Sequence, residues 1–128
     1  MILDSSAVVA ILFREPGADA LVDKLATTPA VGIGAPTLVE ATIVCSHRLG
    51  RDARGLLARF LDEAGIAVVP FGDMHASVAA DAWLRFGKGR HKAALNYGDC
   101  LAYAIATVAN QPLLCVGNDF PETDRDLA

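Results

Sequence analysis

Short apolar runs alternate along the chain with longer stretches in which apolar positions recur every three to four residues. Met1-Ile2-Leu3, Val31-Gly32-Ile33-Gly34, Ile66-Ala67-Val68-Val69 and Leu113-Leu114-Cys115-Val116 are too short for helices and read as strands. Ser5-Ser6 predict the N-cap of a helix running to about Phe13, and Glu15-Pro16-Gly17 breaks it. Pro16 suits the start of a second helix, Gly17 to Ala26, with Leu21, Val22 and Leu25 on one face. Pro36 opens a third helix to about Leu49, which Gly50 ends. Asp52 is placed to cap a fourth, whose buried face would be Leu56, Leu57, Phe60 and Leu61. A further helix is expected from about Asp73 to Phe86, followed by an irregular basic stretch, Gly87 to Lys92. Ala102 to Ala109 is apolar nearly all round, so that helix should be central and buried. Helices between short apolar strands predict a parallel sheet covered on both faces. With no repeat or linker, residues 1–128 read as one α/β domain, a short central sheet sandwiched by helices.

Against this pattern, four acids stand where they would gather at one edge of the sheet. Asp4 ends the first strand, and Asp119 follows the last in Gly117-Asn118-Asp119-Phe120. Asp99 opens the buried helix, and Glu40 lies within the apolar stretch Thr37 to Ile43. Parallel strands deliver their C-terminal ends to one edge, where sites in open α/β sheets form. Desolvating an unpaired carboxylate is costly, so a shared divalent cation is the simplest common partner. Each acid has an ordinary explanation too. Asp4 suits a turn or helix cap, Asn96 with Asp99 resembles a capping box, and Asp119 sits in a turn-like sequence. Glu40 fits that view least, because a lone Glu on an apolar helix face is uncommon. Oxygen-only ligation suits Mg²⁺, with Mn²⁺ as a substitute, rather than Zn²⁺. No His has metal-ligand spacing to another His or to Cys: His47 reads as surface, His75 as a helix start and His91 as part of the basic loop.

Composition narrows the picture further. A hydrophobic fraction of 53% excludes disorder and a fibrous chain. A formal charge of −4 excludes nucleic-acid binding through overall basicity, though not through a local patch. The three cysteines, Cys45, Cys100 and Cys115, lie in apolar runs without C-x-x-C spacing, which predicts buried reduced thiols and a cytoplasmic setting. The stretch Ala7 to Phe13 is too short to span a bilayer, and no membrane association is expected.

A local patch is present. Arg85, Lys88, Arg90, His91 and Lys92 crowd the segment before Asp99, with Gly87 and Gly89 loosening the backbone. They read either as a solvated loop or as a phosphate-gripping one, which would make binding salt-dependent. Arg48, Arg51, Arg54 and Arg59 read as an ordinary polar surface. Trp83, Leu84 and Phe86 are expected in the core, with an exposed contact surface as the minority alternative.

Met1-Ile2-Leu3-Asp4-Ser5-Ser6-Ala7, the Glu40 helix, Leu95-Asn96-Tyr97-Gly98-Asp99-Cys100 and Gly117-Asn118-Asp119-Phe120, in this order, resemble a PIN domain. More closely, the chain is similar over its whole length to VapC toxins of bacterial toxin–antitoxin pairs. The resemblance implies a Mg²⁺-dependent ribonuclease, usually a homodimer, held inactive by a VapB-type antitoxin. It makes Asp4, Glu40, Asp99 and Asp119 the catalytic, metal-holding set, Ser6, Asn96 and Asn118 supporting polar residues, and RNA the substrate. Arg85, Lys88, Arg90 and Lys92 would then contact RNA, and the Arg48 to Arg59 group could face antitoxin. Asp124 matches a more variable late acid. The implied reaction is hydrolysis of an RNA phosphodiester by metal-activated water.

Rival readings fit less well. A haloacid-dehalogenase-type phosphatase wants a second Asp where Ser6 stands, and a receiver domain wants an acidic pair near Asp4 and a Lys after Val116. A catalytically silent domain kept for antitoxin or dimer contacts is the non-enzyme alternative. The RNA target, the number of metals and the dimer geometry leave no mark on the sequence.

Overall fold

The computed structural model describes residues 1–128. Strand β1 (Ile2–Leu3) is central, paired in parallel with β2 (Val31–Gly34) on one side and β4 (Leu113–Leu114) on the other. Strand β3 (Ile66–Val69) extends the sheet beyond β2, giving the order β3-β2-β1-β4. The helices are α1 (Ser5–Leu12), α2 (Ala18–Thr27), α3 (Ala35–Leu49), α4 (Arg54–Ala64), α5 (Asp73–Phe86) and α6 (Tyr97–Ala109). A 3₁₀ turn, Phe120–Glu122, follows β4. No helix is long and apolar enough to cross a membrane.

Alternation along the strands divides the core in two. Leu3 and Leu114 join Val8, Ile33, Cys45 and Leu57 in a cluster built mainly with α1 to α4. Ile2 and Leu113, one residue earlier on the same strands, join Ala82, Phe86, Tyr103 and Ile105 in a second cluster under α5 and α6. Helix α6 is buried from Ala102 to Ala106, as its uninterrupted apolar sequence requires. Gly34 lets it settle on the sheet, since a Cβ there would lie 2.7 Å from Ile105 Cγ1.

Several local expectations are corrected. The N-cap of α1 is Asp4 rather than Ser5 or Ser6: its Oδ2 accepts the Ser6 N–H at 3.1 Å. Asp52 stands one residue before the N-cap Ala53 and accepts the Arg54 N–H at 2.9 Å instead. Strand β4 stops at Leu114, because β1 ends at Leu3 and offers no further partner. The outer side of β4 is covered by the last residues, with Ala128 N–H donating to Leu113 O at 2.9 Å. Trp83 and Leu84 are 43% and 57% exposed, not core. Helix α5 lays Ala79, Ala82 and Phe86 inward at spacings i, i+3 and i+7, which turns those two outward.

Candidate active site at the acidic edge

The C-terminal ends of the parallel strands open onto one edge, and the four acids reach it from different elements. Asp4 follows β1 directly and is only 4% exposed. Its Oδ2 accepts from Ser6 Oγ at 2.6 Å, while its Oδ1 is buried with no partner at all. Burial pushes this carboxyl above the usual range, against the Ser6 hydrogen bonds, and Glu40 adds to the upward shift. A buried carboxylate oxygen without a donor marks a place where an outside positive group would be accommodated.

Asp99 sits in the first turn of α6, where it serves the fold as well. Asn96 Oδ1 accepts the Asp99 N–H at 2.9 Å and Asp99 Oδ2 accepts the Asn96 N–H at 3.0 Å, a reciprocal cap. Burial pushes the Asp99 carboxyl up to about 7, and Asp4, Asp119 and Glu40 add like-charge repulsion. The capping bond and the electrostatic strain therefore coexist on one side chain.

Glu40 comes from the first half of α3 and is held by Ser5, whose Oγ donates to Oε1 at 2.6 Å. Gly98 gives it room. A Cβ at that position would fall inside the Glu40 Oε2 envelope and 2.7 Å from Cδ. Neither contact could be read from sequence, since Ser5 and Glu40 are 35 residues apart. Asp119 and Asn118 are exposed beyond β4, without side-chain hydrogen bonds of their own. Ser6 ties this strand end to Asp4, its Oγ accepting the Val116 N–H at 2.9 Å.

Cys115 was expected only as a buried thiol, yet it borders the acids. Burial pushes it up to about 11, with Asp4, Asp99 and Asp119 contributing. Cys45 and Cys100 are buried, Cys115 is half-buried, and all three are unpaired. The acids share one edge without converging into a closed shell: no three Asp, Glu, His or Cys side chains stand together closely enough to hold an ion by themselves. All-oxygen donors and the orphaned Asp4 Oδ1 fit a hard cation, which would take the rest of its ligands from water.

The basic residues before α6 are mostly engaged within the protein. Arg85 binds Asp124 at 2.8 Å and Asp81 at 3.5 Å, and Lys92 binds Glu122 at 2.9 Å. Arg90 donates to Leu84 O at 3.1 Å and lies over the Trp83 ring. The Lys88 side chain makes no hydrogen bond or ion pair and is exposed, while its backbone N–H donates to Leu95 O at 2.9 Å. Of the second basic group, Arg48 meets Glu15 at 3.7 Å and Arg54 meets Asp52 at 2.8 Å. Asp124 stands apart from the acid set. Partial burial works to raise its carboxyl, but the Tyr103 hydroxyl and Arg85 outweigh it and hold Asp124 below the usual range.

Two apolar grooves flank Tyr97, which is 80% exposed beside Gly98. One, of about 420 Å³, lies between α5 and α6 and includes Phe71, Ala80, Trp83 and Leu101. The other, of about 440 Å³, runs along α3 past Val39, Ile43 and Glu40.

Comparisons with known proteins match the whole chain and its fold. The PIN domain profile matches residues 1–126. Ribonuclease VapC36 of Mycobacterium tuberculosis is 48% identical over 127 residues, covering 98% of this chain and 91% of that protein. Ribonuclease VapC of Mycolicibacterium smegmatis is 42% identical over 124 residues, covering 97% and 96%. Among solved structures, the M. tuberculosis toxin VapC20, described as cleaving the sarcin-ricin loop, superposes with a TM-score of 0.80 at 15% identity, covering 99% and 97%. A toxin–antitoxin complex from Klebsiella pneumoniae superposes at 0.73 and 14% identity, covering 99% and 95%. At such identities these two structures establish the fold alone. The chain belongs to the PIN-domain family, in its VapC branch.

Proposed function

We propose that this protein is a Mg²⁺-dependent endoribonuclease, the toxin of a toxin–antitoxin pair, and that the acidic edge is its active site. The observation that carries the reading is a set of like charges left uncompensated by the protein. Asp4 Oδ1 is buried without a donor, and Asp99 is pushed up to about 7 by burial and by its acidic neighbours. Forty-eight per cent identity to a protein named a ribonuclease supports the substrate class.

Asp4 and Asp99 would hold the cation, with Glu40 and Asp119 completing the site directly or through waters. Held there, Mg²⁺ would supply charge for the phosphate oxygens and lower the pKa of a water. The chain's own contributions are orientation and charge. Ser6 fixes the Asp4 carboxylate and Ser5 fixes Glu40. Asn96 holds Asp99 at the start of α6, and the Asp99 carboxyl, pushed up to about 7, would have to be deprotonated to hold a cation. Asn118 and Asp119, both exposed, would be open to an incoming phosphodiester. Lys88 is the basic-loop residue free to meet its backbone, whereas Arg85, Arg90 and Lys92 would have to exchange an internal partner for RNA.

The apolar surface around Val39, Ile43, Trp83 and Tyr97 supports burial of this face by a second copy, so that the protein works as a homodimer. A VapB-type antitoxin is the proposed controlling partner, and three unpaired thiols support a cytoplasmic setting.

The test is cleavage of total RNA by purified, antitoxin-free protein, with Mg²⁺ against EDTA and with Asp99→Asn alongside. Discrete fragments that require both Mg²⁺ and Asp99 are expected, and end-mapping them identifies the target. A folded protein that binds Mg²⁺ and leaves RNA intact would instead indicate a silent binding domain or a phosphatase.

A further inference from the structure

Asp124 is an acid that the proposed reaction does not use, and it is one of the most fully engaged carboxylates in the chain. Tyr103 Oη donates to its Oδ1 at 2.5 Å and Arg85 Nη2 donates to its Oδ2 at 2.8 Å. The two donors come from the helices of one core layer, Tyr103 from α6 and Arg85 from the end of α5. Tyr103 is buried, with its ring 5.9 Å from that of Phe86, which fixes the ring from which its hydroxyl reaches Asp124. The Arg85 pair alone, half exposed on both sides, would hold little.

Asp99 and Tyr103 are four residues apart on α6 and therefore share a face. Asp119 and Asp124 are linked by a tight turn. Phe120 is buried in the core, and its carbonyl accepts both the Thr123 N–H at 2.9 Å and Thr123 Oγ1 at 2.7 Å. Upstream, Val116 is the last residue secured, by its bond to Ser6, before Gly117 turns at φ +107°. Asp119 thus takes its position largely from the chain that follows it.

We propose that Asp124 is a positioning residue for the metal site: through Tyr103, helix α6 holds the segment bearing Asp119 at a set distance from Asp99 on the same helix. The inference rests on Asp99 and Asp119 being cation-holding acids. It assigns the late acid of Thr123-Asp124 to geometry rather than ligation. Residues that orient metal ligands from outside the ligand shell typically change metal affinity roughly 10- to 100-fold when removed.

The experiment is calorimetric titration of the purified full-length chain with MnCl₂, together with steady-state RNA cleavage, for wild type, Tyr103→Phe, Asp124→Asn, Arg85→Met and Asp119→Asn. Tyr103→Phe and Asp124→Asn should each weaken Mn²⁺ binding about 10-fold and lower kcat, with KM for RNA little changed. Arg85→Met should do so more weakly. A purely structural contact would lower the melting temperature and leave the Mn²⁺ affinity and kcat of the folded protein within twofold of wild type, and that result overturns the proposal. Should Tyr103→Phe prove too unstable to purify, Asp124→Asn weakens the same contact from the other side. If Asp119→Asn itself leaves Mn²⁺ affinity unchanged, the acid-set reading fails and takes this inference with it. If Asp119→Asn weakens binding and the Tyr103 and Asp124 variants do not, only the positioning role is lost.

Discussion

The two ends of the parallel sheet are treated in opposite ways. At the N-terminal ends of the strands, the Met1 amino group donates to Ala30 O at 3.0 Å and to Gln111 Oε1 at 2.9 Å, so its charge is met from within. At the C-terminal ends, Asp4, Asp119 and Glu40 all add like-charge repulsion to Asp99, and Asp4 Oδ1 has no donor. The same β1 strand, only two residues long, connects the two ends. A buried carboxylate oxygen without a donor is costly, and at the acidic edge that cost falls on a residue already crowded by like charge.

The largest break in this contrast should come from Asp99→Asn or Asp4→Asn. Either should lower RNA cleavage by at least the order of 100-fold, beyond what loss of an outer-shell residue costs. Stability without metal should hold or rise, since Asn caps a helix as well as Asp and one repelling charge is gone. Thermal melts beside cleavage rates check both halves. Gly98→Ala should come next. A helical Gly→Ala change ordinarily stabilises by about 0.5–1 kcal/mol, but here the new methyl collides with the Glu40 carboxylate. Overpacking of this kind typically costs about 1–3 kcal/mol, so a lower melting temperature together with impaired cleavage is expected.

The pH dependence sharpens the same contrast. Folded Asp99 titrates near 7 against an ordinary 3.8, so between these values the folded state holds more protons than the unfolded one. Stability of the metal-free protein from this group is fully present below about 3.8 and is lost as pH rises through about 7. Added Mg²⁺ should therefore raise the melting temperature more at pH 8 than at pH 6. Equal shifts at the two values would mean that the acids are not the binding site.

Smaller effects are expected away from the acids. Lys88→Gln should weaken RNA binding modestly and reduce the steepness of its salt dependence by about one unit, with Mg²⁺ binding unchanged. At the opposite end, Gln111→Ala should cost about 1 kcal/mol of stability through the lost Met1 hydrogen bond and leave cleavage untouched. Loss of activity in that variant would show that the two ends are not independent.

What could be read from sequence was what is local. Helix α5 runs from Asp73 to Phe86 as its apolar spacing requires, and Pro36 and Gly50 bracket α3. The strands were visible as apolar runs, and Asp4, Asp99 and Asp119 were placed at the site's edge by strand and helix ends alone. What could not be read depends on partners distant in the chain. Ser5 meets Glu40, Gly98 makes space for Glu40, and Tyr103 seeks Asp124, none of which a one-dimensional pattern encodes. The outward turn of Trp83 and Leu84 was missed because size and hydrophobicity argued for the core, while small Ala79 and Ala82 were what α6 could accommodate closely. Arg85 and Lys92 looked free for phosphate because their acidic partners, Asp124 and Glu122, lie more than 25 residues further on.

The most direct test of an uncompensated acidic edge is calorimetric Mg²⁺ binding at pH 7 in two buffers of different ionisation enthalpy, for wild type and Asp99→Asn. A cation site at these acids should show saturable binding with proton release in wild type, because burial and like charge hold Asp99 up to about 7, and much weaker binding with less release in the variant. No saturable Mg²⁺ binding, or binding of equal strength and equal proton release in both proteins, would contradict it.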